Sequence, residues 1–154
     1  MLLPFFTWAD HLWIAEFIRD STWIFALLEV FHLFGLTLLL GMLVVVNLRL
    51  FGFGLKRQTL AEVASDALPW TILGMTVSIS SGLLLFVSEA LKCYDSQPFF
   101  LKMGLLFTAL LFTFTFQRRM TKAEQPTGWG RFAACFSLTL WFGVGLAGRA
   151  IAFF

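Results

Sequence analysis

The sequence predicts an all-α membrane protein: a bundle of four transmembrane helices with an N-terminal interfacial segment and a short cytoplasmic amphipathic helix. Three observations carry that prediction. The chain is 59% apolar and 13% charged with a mean hydropathy of +0.85 and twenty Phe, a balance suited to lipid. Four apolar runs, at about 23–48, 69–91, 99–116 and 132–154, are each long enough to cross a hydrocarbon core of roughly 30 Å. The connections between them are short and polar, so residues 1–154 read as one four-helix domain.

Residues 1–21, MLLPFFTWADHLWIAEFIRDS, lack the basic start and small-residue cleavage site of a signal peptide and are read as structure. As a single helix their polar groups would point in opposite directions, Thr7, Asp10 and His11 against Glu16, Arg19 and Asp20. A broken or partly buried interfacial segment fits better, held at headgroup depth by Trp8, Trp13 and Trp23.

The first span, Trp23 to Leu48, rises about 39 Å as a helix and contains Glu29 and His32. Hydrocarbon cannot solvate an ionisable side chain, so both are expected to face protein, a cofactor or water. At 100° per residue Glu29, His32, Leu36, Leu43 and Asn47 fall within about 60° of one another, and Gly35 lies close enough to leave space beside the imidazole. After this span Thr59 and Glu62 form a T-x-x-E capping box, and Leu60, Val63, Ala64, Ala67 and Leu68 recur at helical spacing, which predicts a short surface helix. Pro69 then suits the first turn of the second span, with Trp70 as its interfacial anchor. That span runs to Leu91 and gathers Thr71, Gly74, Ser78, Ser81, Gly82 and Glu89 on one broad side, whose small residues are expected to pack against another helix.

KCYDSQP makes a tight connection to the third span, which has Lys102 just inside its start. QRRMTKAEQPTGWGR leads to the fourth, which carries Ser137, Trp141, Gly145 and Gly148 on one face and Arg149 near its end. If the loops after spans one and three are cytoplasmic they hold seven of the eleven Lys and Arg, against four on the other side. The asymmetry places both termini in the periplasm and Cys93 and Cys135 on opposite sides of the membrane, too far apart for an intrachain disulfide. Glu29, His32, Glu89, Lys102 and Arg149 then all fall in the outer half, where His11 of the N-terminal segment can join them.

Several segments resemble a family of small four-helix bacterial inner-membrane proteins of unknown function. These are EVFHLFGLTLLLG (Glu29 to Gly41), NLRLFG (Asn47 to Gly52), GLLLFVSEA (Gly82 to Ala90), Phe99 to Lys102 and the C-terminal LWFGVGLAGRAIAFF. The resemblance spans nearly the whole chain and implies the location and helix count without an activity. One departure is Asn47, where the family pattern usually has Asp. A looser similarity, in helix count and in a His on the first long span, is to copper-resistance D and bacterial protoporphyrinogen-oxidase type membrane proteins, some of which bind b-type haem.

Three functions are consistent with the polar group. In the first, His32 is an axial ligand of b-type haem about 13 Å below the outer interface, with Lys102 and Arg149 pairing with the propionates. Glu29 or a backbone carbonyl would orient the imidazole, Trp141 would either stack on the cofactor or serve as a packing aromatic, and His11 or a His of a second subunit would be the other axial ligand. In the second, the ionisable residues form a compensated network in a cofactor-free accessory subunit of a larger membrane complex. The third is transport of metal ions or protons. Glu29-x-x-His32 has the spacing used in di-iron bundles, but one chain supplies only one such motif, and Met42, Met75 and Met103 form no clear copper site. The expected partners are the lipid bilayer and another membrane protein or a second copy, and a net charge of +2 argues against nucleic acid. CxxCH, a P-loop and a dinucleotide-binding fingerprint are all absent from the sequence, as is a Ser-His-Asp arrangement.

Overall fold

The computed structural model describes residues 2–54, 57–122 and 127–151. Within them every regular element is helical. The N-terminal segment forms α1 (Leu3–Asp10) and α2 (Trp13–Asp20), broken at His11 and Leu12 where its polar groups change direction. Four helices follow that are long and apolar enough to cross a membrane: α3 (Thr22–Phe51), α4 (Leu60–Ser88), α6 (Gln97–Phe112, extended by a π turn at Thr113–Gln117 and by α7, Arg118–Met120) and α8 (Gly128–Ala150). A short helix, α5 (Ala90–Asp95), takes the expected end of the second span and the start of the tight connection KCYDSQP. Residues 152–154 of the expected fourth span lie outside the described residues.

The chain is a multi-pass membrane protein. Phe31, Phe34, Leu83, Phe107 and Phe142 are exposed along the spans, an arrangement suited to lipid and not to water. Trp8, Trp13 and Trp23 are exposed at one end of the bundle and Trp70 and Trp129 at the other, so amphipathic rings mark both interfaces.

The expected break before the second span does not occur. The capping box at Thr59 and Glu62 is formed, with Thr59 N–H donating to Glu62 Oε2 at 2.7 Å and Glu62 N–H to Thr59 Oγ1 at 3.2 Å, but the helix it starts continues through Pro69. Val63, Ala67, Thr71 and Gly74 make one unbroken buried face across that proline. The carbonyl that Pro69 leaves unbonded is that of Ser65, an exposed residue at the same end of the helix as the interfacial Trp70, where headgroups and water can reach it.

Helices α3 and α4 share the most extensive interface. A Cβ on Gly35 would sit 2.8 Å from Ser78 N and Oγ, and one on Gly74 would sit 2.7 Å from Leu39 N, so this interface brings two backbones together without side chains between them. α8 packs on α3, and α6 on α8. The spans therefore run α4, α3, α8, α6, and α6 and α4 share no extensive interface among the described residues. The core lies between α3, α6 and α8 around Leu39, Leu43, Ala109, Trp141 and Val144. α1 packs on α5 and α4, and α2 packs on α4 and α3, covering one end. Arg19 joins these pieces: it pairs with Asp10 at 2.9 Å and donates to the carbonyl of Ser88 at 3.0 Å, capping the last turn of α4.

Candidate functional site

His32 projects from α3 onto the small-residue face of α4. Its Nδ1 lies 2.9 Å from the carbonyl of Ser78 and 3.1 Å from Ser81 Oγ. A carbonyl only accepts, so Nδ1 carries the proton and Nε2 of the neutral ring presents a lone pair. Nε2 has no hydrogen-bond partner among the described residues. Gly82 makes room for the ring, since a Cβ there would stand 3.0 Å from His32 Cε1. The spacing of Ser78, Ser81 and Gly82 indicates a packing face in the sequence; that this face receives the imidazole is visible only once α3 and α4 are docked.

Lys102, in the second turn of α6, is half-buried and lies along α8, 3.4 Å from the position a Cβ on Gly148 would take. Its ammonium is within electrostatic reach of the His32 imidazole and the Cys93 thiol. Among the described residues Lys102 Nζ has neither a hydrogen-bond nor an ion-pair partner. The structure thus puts His32 and Lys102 within electrostatic reach of one another at the end covered by α1 and α2. Each has an unused polar atom, a lone pair on one and N–H donors on the other.

The remaining members of the expected group are distributed differently. Glu29 is exposed on α3 and has no partner among the described residues. Glu89 pairs outward with exposed Lys92 at 2.6 Å. Arg149 is exposed on the last turn of α8 and has a partner, and His11 is exposed at the junction of α1 and α2. Trp141 is buried nearer mid-membrane, among Leu39, Leu43 and Ala109, and donates through Nε1–H to Thr113 Oγ1 at 3.1 Å, so it is a core residue away from His32. The five ionisable side chains do not join into one compensated network. Nor do three or more His, Cys, Asp or Glu converge among the described residues.

A second polar group lies toward the other end. Asn47 Nδ2–H donates to the carbonyl of Leu43 at 2.8 Å and to Ser137 Oγ at 3.4 Å, and its Oδ1 accepts from Gln117 Nε2–H at 3.1 Å. Gln117 ends the third span and looks like the start of a loop in sequence. Its inward aim comes from the π turn, which no spacing rule announces.

The family model for a family of unknown function, DUF6644, matches residues 5–154. The chain belongs to that family. No curated protein and no solved structure matches it.

Proposed function

We propose that this DUF6644 protein is a bacterial inner-membrane subunit, with both termini in the periplasm, that holds b-type haem at the His32 end and serves electron transfer or a larger membrane complex. One observation carries the reading: His32 is fixed through Nδ1–H to a backbone carbonyl, leaving Nε2 unpartnered and the ring within electrostatic reach of a half-buried, unpartnered ammonium. A backbone carbonyl on Nδ1–H is the usual way to set the tautomer and raise the basicity of an imidazole ligand. Lys102 supplies the charge that would pair with a propionate, and Arg149 adds a second basic group at the same end of the bundle. Haem bound there would supply a one-electron couple. The chain's own residues orient the ligand, hold the counter-charge and, through α1 and α2, cover the end of the bundle. Any further iron ligand would have to come from His11, at the exposed junction of those helices, or from a His of another subunit.

The exposure of Glu29 favours a second reading, a cofactor-free accessory subunit. A carboxylate on a lipid-facing span requires a donor, and a neighbouring membrane protein can supply it. Transport gains less support, since the described residues gather no protein-only metal site.

The test is the absorption spectrum of protein purified in mild detergent, oxidised and then reduced with dithionite. A Soret band lost in His32→Ala and weakened but retained in Lys102→Gln is expected. No band, or one indifferent to His32→Ala, overturns haem ligation; a colourless protein that copurifies with a stoichiometric membrane partner establishes the accessory reading. Orientation is tested with Lys92→Cys, whose exposed position should react with an impermeant thiol reagent in intact spheroplasts.

A further inference from the structure

The open side between α4 and α6 holds, at the end opposite His32, a groove of about 250 Å³. It is floored by Leu43 and Val46 of α3 and walled by residues 61–71 of α4 and by the π turn and α7. Most of its lining is apolar, and two features stand out against it. Arg118 and Lys122 stand exposed at its edge, and Gln117 lines it while being only 2% exposed. The amide nitrogen of Gln117 is used on Asn47, but its Oε1 is buried without a partner. A buried acceptor left unpaired costs free energy, so a donor from a ligand would satisfy it.

The depth of the groove narrows the ligand. Trp70 beside its α4 wall and Trp129 at the same end are exposed and mark the membrane interface. An apolar slot that opens between spans at headgroup depth, with two cations at its edge, takes an acyl chain below and an anionic head above. The orphan acceptor adds a requirement for a hydrogen-bond donor on the ligand, which an anionic headgroup meets with a hydroxyl.

We propose that the α4–α6 groove is a binding site for an anionic phospholipid with a hydroxylated headgroup, of the phosphatidylglycerol type. Arg118 and Lys122 receive the phosphate, the apolar walls receive a chain, and Gln117 Oε1 accepts from a headgroup hydroxyl. The site is separate from His32 and does not depend on haem.

The experiment is native mass spectrometry of the full-length protein in detergent, titrated with phosphatidylglycerol, phosphatidylethanolamine or glycerol 3-phosphate. Two variants accompany the parent. Arg118→Gln/Lys122→Gln removes the cations, and Ser65→Trp fills the groove from an exposed position while keeping them. Phosphatidylglycerol should bind about tenfold more tightly than phosphatidylethanolamine, an advantage lost in the double variant. Ser65→Trp should weaken phosphatidylglycerol by a similar factor, and glycerol 3-phosphate should give no stable adduct. Equal binding of the two lipids, or phosphatidylglycerol binding indifferent to Ser65→Trp, overturns the proposal by reducing the site to a basic surface. Stable binding of glycerol 3-phosphate alone overturns it in favour of a soluble phosphate ligand.

Discussion

At the scale of single residues, the decisive quantity is whether each polar atom has a partner. His32, Lys102 and Glu29 look alike in sequence, each an ionisable group inside an apolar run, yet they end in three different situations. His32 spends one nitrogen on Ser78, Lys102 is half-buried with its donors unused, and Glu29 is exposed. Cys93 shows how strongly such surroundings act outside the spans. Burial, reinforced by the nearby Glu89 carboxylate, pushes its thiol up to about 11, while Lys102 and Lys92 pull the other way. Between pH 7 and 9 the thiol therefore stays protonated, and only the thiolate is a nucleophile. Alkylation of Cys93 at pH 8 should run about a hundredfold slower than that of a free thiol titrating near 9, and its rate should still be climbing at pH 10. Glu89→Gln removes a negative neighbour and should speed the reaction at fixed pH. Rates followed by mass spectrometry of the modified peptide check both statements; a plateau below pH 9 would contradict them.

At the scale of elements, helix existence was legible and helix contacts were partly so. Apolar length marked the four spans, and the Thr59 and Glu62 spacing marked the start of α4. Pro69 was misleading because a proline signals only the loss of a donor and a local clash, and both are tolerable where headgroups can satisfy the freed carbonyl. The π turn at Thr113–Gln117 left no trace in periodicity, since a single widened turn merely shifts the face that follows it. The small-residue face of α4 was legible as a packing surface, but its partner, the Gly35 turn of α3, was not. That pairing yields a sharp contrast. Gly35→Leu must force α3 from α4, because even a Cβ would stand 2.8 Å from backbone Ser78 N, and should destabilise the protein by about 2–3 kcal/mol. Gly41→Ala, six residues along the same helix, meets nothing within 4 Å and should be neutral or slightly stabilising. Unfolding in mixed micelles with increasing denaturing detergent measures both. Gly35→Leu should also disturb any property that depends on His32, whose partners Ser78 and Ser81 lie on the displaced face.

At the scale of the whole molecule, the order α4, α3, α8, α6 explains why one candidate group in sequence becomes two places in space. α3 is the shared wall: His32 faces α4 near one end, and Asn47 meets Gln117 and Ser137 near the other. The arrangement also leaves Glu29 exposed and without a partner among the described residues, so this carboxylate contributes little to the fold of one chain. Glu29→Leu should change the stability of the isolated protein by no more than about 0.5 kcal/mol, as for a surface substitution without internal partners. In the native membrane the same change should reduce recovery of a stoichiometric partner, or of the self-associated form, about tenfold, because a hydrogen bond to a charged group in hydrocarbon is lost. Detergent unfolding and quantitative copurification after mild solubilisation separate the two effects. A fall in intrinsic stability with association intact would make Glu29 an internal tie, contrary to its exposed position. Loss of association with stability intact would place the missing donor on a neighbouring protein that meets the exposed Glu29 of α3.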